Sequence, residues 1–212
     1  MKLSQRLQRL LDMVPKGARM ADIGTDHGLL MIKCLEDGIC DFAYGLDIAP
    51  MPLDAARQNV LKHGYEDVTE LVLSDGLKSF NGLANCYVAA GMGAETIWGI
   101  IKEYQFKDND VILIQSNTKN AWFRDIVSQS GFTIVDEAFL MERDIPVFMM
   151  KLQKTGIAVK LSYEEITLGP ILMKNLDTDY TKYLIGRKEH LDRIKQHDAT
   201  LEEEFQLLNK IV

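Results

Sequence analysis

The 212-residue chain contains no apolar run near the roughly 18 residues that a membrane span needs. Its start, MKLSQRLQRL, lacks the apolar block of a secretory leader, so a cytoplasmic protein with no membrane partner is expected. Cysteine is scarce. Cys34, Cys40 and Cys86 are odd in number and lack C-x-x-C spacing, which reads as reduced packing thiols and not as disulfides or zinc ligands. The histidines are too scattered for a ligand set: His27 lies in a glycine loop, His63 at a helix end, and His190 and His197 one heptad apart near the C-terminus. No metal is expected. A positive excess is missing as well, since the net charge of −7 argues against a uniformly basic nucleic-acid surface. Charge is uneven, however: residues 1–19 carry Lys2, Arg6, Arg9, Lys16 and Arg19 against Asp12 alone. Such a patch suits RNA phosphates or a solvated helix face.

What is present is a regular alternation. Leu3, Leu7, Leu10 and Leu11 recur at helical spacing over 3–13, with Ser4 as an early cap and Pro15 and Gly17 as a stop. Strands are expected at 18–24, 43–48, 68–76, 86–93 and 110–117, and helices at 28–37, 52–64, 94–104 and 119–130. Gly64 and Gly131 stand where helix ends want them. Two further strand-like runs, 132–142 and 146–154, are separated by too short a gap for a helical crossover and should pair antiparallel. Five strand–helix units and a final hairpin imply a doubly wound α/β sheet.

From about residue 162 the pattern changes. Leu184, Leu191, Ile194, Leu201, Phe205, Leu208 and Val212 form a heptad-like seam interrupted by Arg187 and Asp198. Residues 162–176 supply a shorter partner helix, with Ser162 and Glu165 fitting a capping box. The expected organisation is therefore a catalytic domain over 1–158 and a coiled-coil-like α-helical hairpin over 159–212. That seam serves packing, a dimer surface or a substrate surface, so monomer and weak homodimer both stay open.

The chemistry gathers at strand ends. ADIGTDHG (21–28) is not the G-x-G-x-x-G of a dinucleotide loop, because Asp26 occupies the middle glycine position. Asp22, Gly24, Asp26 and Gly28 instead follow the acid-x-G-x-G-x-G spacing of S-adenosylmethionine-dependent methyltransferases. That cofactor carries a sulfonium and an ammonium, which carboxylates attract, and has no pyrophosphate to cradle. The sheet is therefore expected to be a Rossmann-like class I methyltransferase sheet. Thr25 and His27 complete the loop, though a local turn bond would equally account for His27. Asp47, followed by Ile48, ends the second strand, where an acid accepts hydrogen bonds from both ribose hydroxyls. Asp75 and Gly76 end the third and offer an acceptor to an adenine amino group, and Gly91, Met92 and Gly93 end the fourth beside the expected methyl-transfer point. An (Asp/Asn)-Pro-Pro-aromatic loop is missing there, which weighs against exocyclic-amine methylation. A methyltransferase acting on a small molecule or protein, and a catalytically weak cofactor- or RNA-binding module, are the alternatives.

LSQRL (3–7), ADIGTDHG (21–28), AGMGAETI (90–97), LIQSNTKNAWFR (113–124) and the LGP of 168–170 form a set spread over nearly the whole chain. In that set the sequence resembles the bacterial tRNA (adenine(22)-N1)-methyltransferases, the TrmK family. The chain departs from the family in having Ala94 after G-M-G, no proline at Leu29–Met31, and Gln115-Ser116-Asn117 for Q-P-N. The resemblance implies methyl transfer to N1 of an adenine in tRNA. N1 attacks with an in-ring lone pair and needs no strong base, so the site must unpair the base, align it and stabilise a cationic product. Asp26 is the expected carboxylate for that last role, with Gln115 and Asn117 orienting the base edge. Arg6, Arg9 and Arg124 are candidate phosphate or structural cations.

Overall fold

The computed structural model describes residues 1–194 and 198–212, so His197 lies outside the described residues. The first helix, α1 (Gln5–Met13), buries Leu10, Leu11 and Met13, and the Ser4 side chain accepts the Leu7 N–H as its cap. There follow β1 (Ala18–Ile23), α2 (Leu29–Glu36), β2 (Cys40–Asp47), α3 (Pro50–His63), β3 (Thr69–Leu73), β4 (Cys86–Met92), α4 (Ala94–Ile101), β5 (Val111–Ser116) and α5 (Asn120–Gln129). The hairpin β6 (Phe132–Glu142) and β7 (Ile145–Lys154) precedes α6 (Tyr163–Leu168), α7 (Thr178–Ile194) and α8 (Ala199–Ile211).

The strands form one sheet in the order β3-β2-β1-β4-β5-β7-β6. β1 to β5 are parallel, and β7 runs antiparallel to β5 and to β6, as the short gap between the last two runs requires. The direction of winding reverses between β1 and β4, which opens the crevice where doubly wound sheets place ligands. One sheet face packs Met31, Ile32 and Val60 with α1, while the other packs Ile97, Ile101, Phe123 and Val127 of α4 and α5. The expected boundary at 158/159 falls between the end of β7 and the start of α6.

Three expectations are corrected. The first concerns the third of the five strand–helix units: no α-helix stands between β3 and β4 among the described residues. Instead the connection sends in Phe80, which packs edge-on against Tyr44 at 5.0 Å and covers the sheet with an aromatic ring where a helix would lie. The second concerns the tail. The helix expected over 162–176 is cut by Gly169 (φ +95) and Pro170 into α6 and a 3-10 turn at Leu172–Lys174, because proline cannot donate to a continuing helix. The heptad seam does not run through one helix either. Asp198 caps α8, accepting the N–H of Thr200 and Leu201, so α7 and α8 themselves fold back on each other, tied by the bidentate pair Arg187–Glu204 at 2.8 Å.

The third concerns the cysteines. Cys34 in α2 and Cys40 opening β2 are joined as a disulfide, their Cα atoms 5.5 Å apart. The chain reverses at Gly38 (φ +64), which brings the helix end over the strand start, a closeness that a spacing of six does not reveal. Cys86 is free and buried, its thiol pushed up to about 12 by burial.

Candidate functional site

At the carboxyl ends of β1 and β4 lies a cavity of about 290 Å³. It is lined by Arg6 and Leu7 from α1, residues 22–27 at the end of β1 and in the loop after it, Leu29 and Leu30 opening α2, and Ala90 and Gly91 near the end of β4. The loop is held open by backbone bonds, since the N–H groups of Gly24 and Thr25 both donate to the Leu46 carbonyl, at 2.8 and 2.9 Å. Gly24 sits at φ +72, and a Cβ there would lie 2.5 Å from the Met92 methyl. The backbone conformation is what calls for glycine, since the flexible Met92 tip could move aside.

Asp26, in place of the middle glycine, keeps a glycine-like backbone at φ +52. Such a conformation costs a non-glycine residue about 1 kcal/mol and is cheapest for aspartate and asparagine. The side chain reaches solvent at the cavity mouth, 73% exposed, with His27 Nε2 3.6 Å from its Oδ1. The carbonyl of His27 accepts from Asn59 Nδ2 at 2.9 Å, which ties the loop to α3.

Asp22 is the buried counterpart. Its hydrogen-bond partner is Thr25 Oγ1 at 2.9 Å, and among the described residues no lysine, arginine or histidine pairs with it. Burial above all pushes its carboxyl up to about 6; the Thr25 hydroxyl pulls it back, and the negative Asp47 and Asp26 push it further up. At neutral pH it is therefore mostly an ionised, buried carboxylate in search of a positive charge.

Asp47 ends β2, and its Oδ1 accepts the N–H of Ala49, the cap of α3. Ile48 beside it is 68% exposed, an apolar side chain left largely open to solvent. Asp75 and Gly76 do not line the 290 Å³ cavity. Asp75 pairs with Lys78 and borders a separate groove of about 610 Å³ with Leu77, Phe80, Ile100 and Tyr104.

Gln115 and Asn117, expected to orient the base edge, hold the Gly91 backbone in this structure. Buried Gln115 accepts from the Gly91 N–H at 2.9 Å and from Arg6 Nη1 at 2.7 Å, and donates to Asn117 Oδ1 at 3.0 Å. Asn117 Nδ2 donates to the Gly91 carbonyl at 2.8 Å. Both polar groups of Gly91 are thus clamped, which fixes the φ of +77 and the register shift between Ala90 and Met92. Gly93 caps α4, and the Ala94 methyl is buried in the core, so it does not narrow the cavity.

The three arginines part company. Arg6 lines the cavity. Arg9 is exposed on α1 in a different depression with Gln5, Gln8 and Asp12. Arg124 takes the structural of its two expected roles: it is 1% exposed, with Nε on Glu137 Oε1 at 2.8 Å and Nη1 on the carbonyls of Ile166 and Thr167. It joins the tail to the sheet. Sequence reasoning missed Glu137 and also Glu142, whose Oε1 accepts the Arg6 N–H at 3.1 Å. Neither lies in a motif, and their partners are 13 and 136 residues away.

The donor set suits adenosylmethionine. A buried carboxylate without a cation, two further acids near it, a glycine turn and an uncovered isoleucine match a ligand carrying two positive charges and a flat ring.

Comparison with known proteins agrees. Residues 3–149 match the methyltransferase domain family. The chain is 27% identical over 203 residues to the tRNA (adenine(22)-N(1))-methyltransferase of Bacillus subtilis, covering 92% of this chain and 84% of that protein. It superimposes on M. capricolum TrmK, solved with S-adenosyl-homocysteine, with a TM-score of 0.85 and 28% identity over 100% of this chain and 96% of the other. A Streptococcus pneumoniae protein described as a putative tRNA (m1A22) methyltransferase, solved with S-adenosyl-L-methionine, shares the fold at a TM-score of 0.89 and 24% identity, covering 99% of each chain. The chain belongs to the methyltransferase domain family, and its resemblance to the TrmK group, met first in scattered motifs, holds over essentially its whole length.

Proposed function

We propose that this protein transfers a methyl group from S-adenosylmethionine to N1 of an adenine in tRNA, at position 22. The observation that carries the reading is the buried, cation-less Asp22 in a cavity rimmed by Asp26 at the strand ends, in a chain whose full-length relatives are solved with this cofactor or its product. We further propose that residues 1–158 perform the transfer, that 159–212 support RNA binding or packing, and that the enzyme works in the cytoplasm.

Asp22, Thr25 and the Gly24–Gly28 turn would hold the amino-acid end, Asp47 and Ile48 the ribose and ring, and Asp75 and Gly76 the adenine amino group. When bound, the cofactor supplies an electrophilic methyl group on a sulfonium. The protein has no proton to remove from adenine N1, whose lone pair is already free once the base is unpaired. Gly91, held by Gln115 and Asn117, keeps the β4 end bare of side chain so that the base edge can approach. Asp26 accepts from the N6 amino group and balances the positive charge that the ring gains with the methyl.

Incubation with unfractionated tRNA and labelled cofactor, followed by nucleoside analysis, should yield 1-methyladenosine. Unmodified tRNA would overturn the reading. Asp26→Ala should lower the single-turnover rate about a hundredfold with little change in calorimetric cofactor affinity. A fully active variant would remove Asp26 from the mechanism.

A further inference from the structure

The β6–β7 hairpin reaches past the sheet at the end where the cavity opens. Ser116, the last residue of β5, pairs with Phe148, so residues 145–147 extend beyond it. At about 3.3 Å per residue the tip overhangs by roughly 10 Å. Arg143 (φ +52) and Asp144 (φ +64) form its two-residue turn, the left-handed pair whose twist matches that of a hairpin and stiffens it. Along one face of β7 burial runs out: Met149 is 1% exposed, Val147 5% and Ile145 64%. Across from Ile145 stands Glu142, which binds the backbone of Arg6 and lies 3.9 Å from its guanidinium. Arg6 in turn lines the cavity and bonds to Gln115. An exposed β-branched side chain is thus fixed rigidly beside the rim of the candidate site, with an exposed arginine at the apex.

We propose that this tip is the element that opens the RNA: Ile145 enters the stack in the space the target adenine leaves, and Arg143 contacts a flanking phosphate. The proposal rests on the tRNA-methylation reading above. It answers a need of that chemistry, since N1 lies on the pairing edge of adenine and is reached only when the base leaves its stack. An apolar wedge lowers the cost of the vacated space, and a β-branched residue does so with little rotamer freedom to lose. Asp144, next to Arg143, keeps the tip from being a general phosphate trap, so Arg143 supplies one contact.

The test uses the full-length enzyme, its tRNA substrate, and the same tRNA with 2-aminopurine at the target position. Wild-type enzyme should raise the 2-aminopurine fluorescence on binding. Ile145→Ala should abolish that rise and lower single-turnover methylation at least about tenfold, while cofactor affinity is unchanged. A tRNA with an abasic site opposite the target adenine should restore the rate of Ile145→Ala, which a merely structural defect would not allow. Arg143→Ala should weaken tRNA binding and reduce its salt dependence by about one phosphate contact. An Ile145→Ala enzyme with normal fluorescence and rate, or a defect that the abasic substrate does not rescue, would overturn the proposal alone. A wild-type enzyme that methylates no tRNA would overturn it together with the reading beneath it.

Discussion

Two buried carboxylates in different regions of this molecule meet opposite fates. Glu137, on β6, is fully partnered: one oxygen takes the Arg124 Nε–H, and the other takes the backbone N–H groups of Ile171 and Leu172. Asp22, at the end of β1, has a threonine hydroxyl and two neighbouring acids that repel it. Burying a charge is costly, and proteins keep an uncompensated one only where something else repays it. At the tail junction the repayment is internal and the result is a joint. At the cavity it is deferred to a ligand, and the result is a site.

The comparison breaks most decisively at the joint. Glu137→Ala should destabilise the protein by about 3–5 kcal/mol, because it leaves the Arg124 guanidinium buried without its anion. Denaturant unfolding would measure the loss, and earlier proteolytic release of the tail should accompany it. A variant as stable as the parent would show that the pair is dispensable.

Asp22→Asn should do the reverse. The folded-state value of about 6 lies above the ordinary 3.8, so the folded chain takes up a proton that the unfolded chain does not as pH falls between those values. This group therefore weakens the fold above pH 6 and ceases to do so by about pH 4. Removing its charge should stabilise the ligand-free protein at pH 8 by up to about 3 kcal/mol, read as a higher melting temperature, while adenosylmethionine binding is lost. In the parent, binding of the cationic ligand should strengthen as pH rises through about 6 and level off above it. Calorimetry from pH 5 to 8 would show this, and a flat profile would contradict it.

Thr25→Val gives the finest resolution. It deletes the one hydrogen bond that favours the ionised form of Asp22, so the midpoint of the binding profile should move above 6 and affinity at pH 7 should fall by a few fold. An unmoved midpoint would mean that burial and neighbouring charge act alone.

Much of this was legible in advance for reasons that are local. Ser4, Gly64 and the Ser162–Glu165 capping box act within a few residues of themselves, and the structure uses each as expected. The loop ADIGTDHG was readable because its glycines and acids serve one turn, and Asp26 preserves the backbone shape of the glycine it replaces. Gln115 and Asn117 hold the Gly91 backbone, a contact their motif does not announce. Side-chain amides look the same in sequence whether they face a substrate or the Gly91 backbone. Arg124 was left between a phosphate and a structural role, since a cation in a motif gives no sign of the buried glutamate waiting on β6.

By itself the sequence determined the alternation of strands and helices, the antiparallel end of the sheet and the set of strand ends where a cationic cofactor could be met. Those follow from periodicity, turn chemistry and charge, which act over short distances along the chain. Only the tertiary structure decided which charges are compensated, which cysteines meet, where the tail folds back and which strands overhang the cavity. These depend on contacts between residues far apart in sequence, where burial sets the energy and no local pattern records the partner. The same physics separates Asp22 from Glu137: each is an acid at a strand, and only its surroundings make one a site and the other a joint.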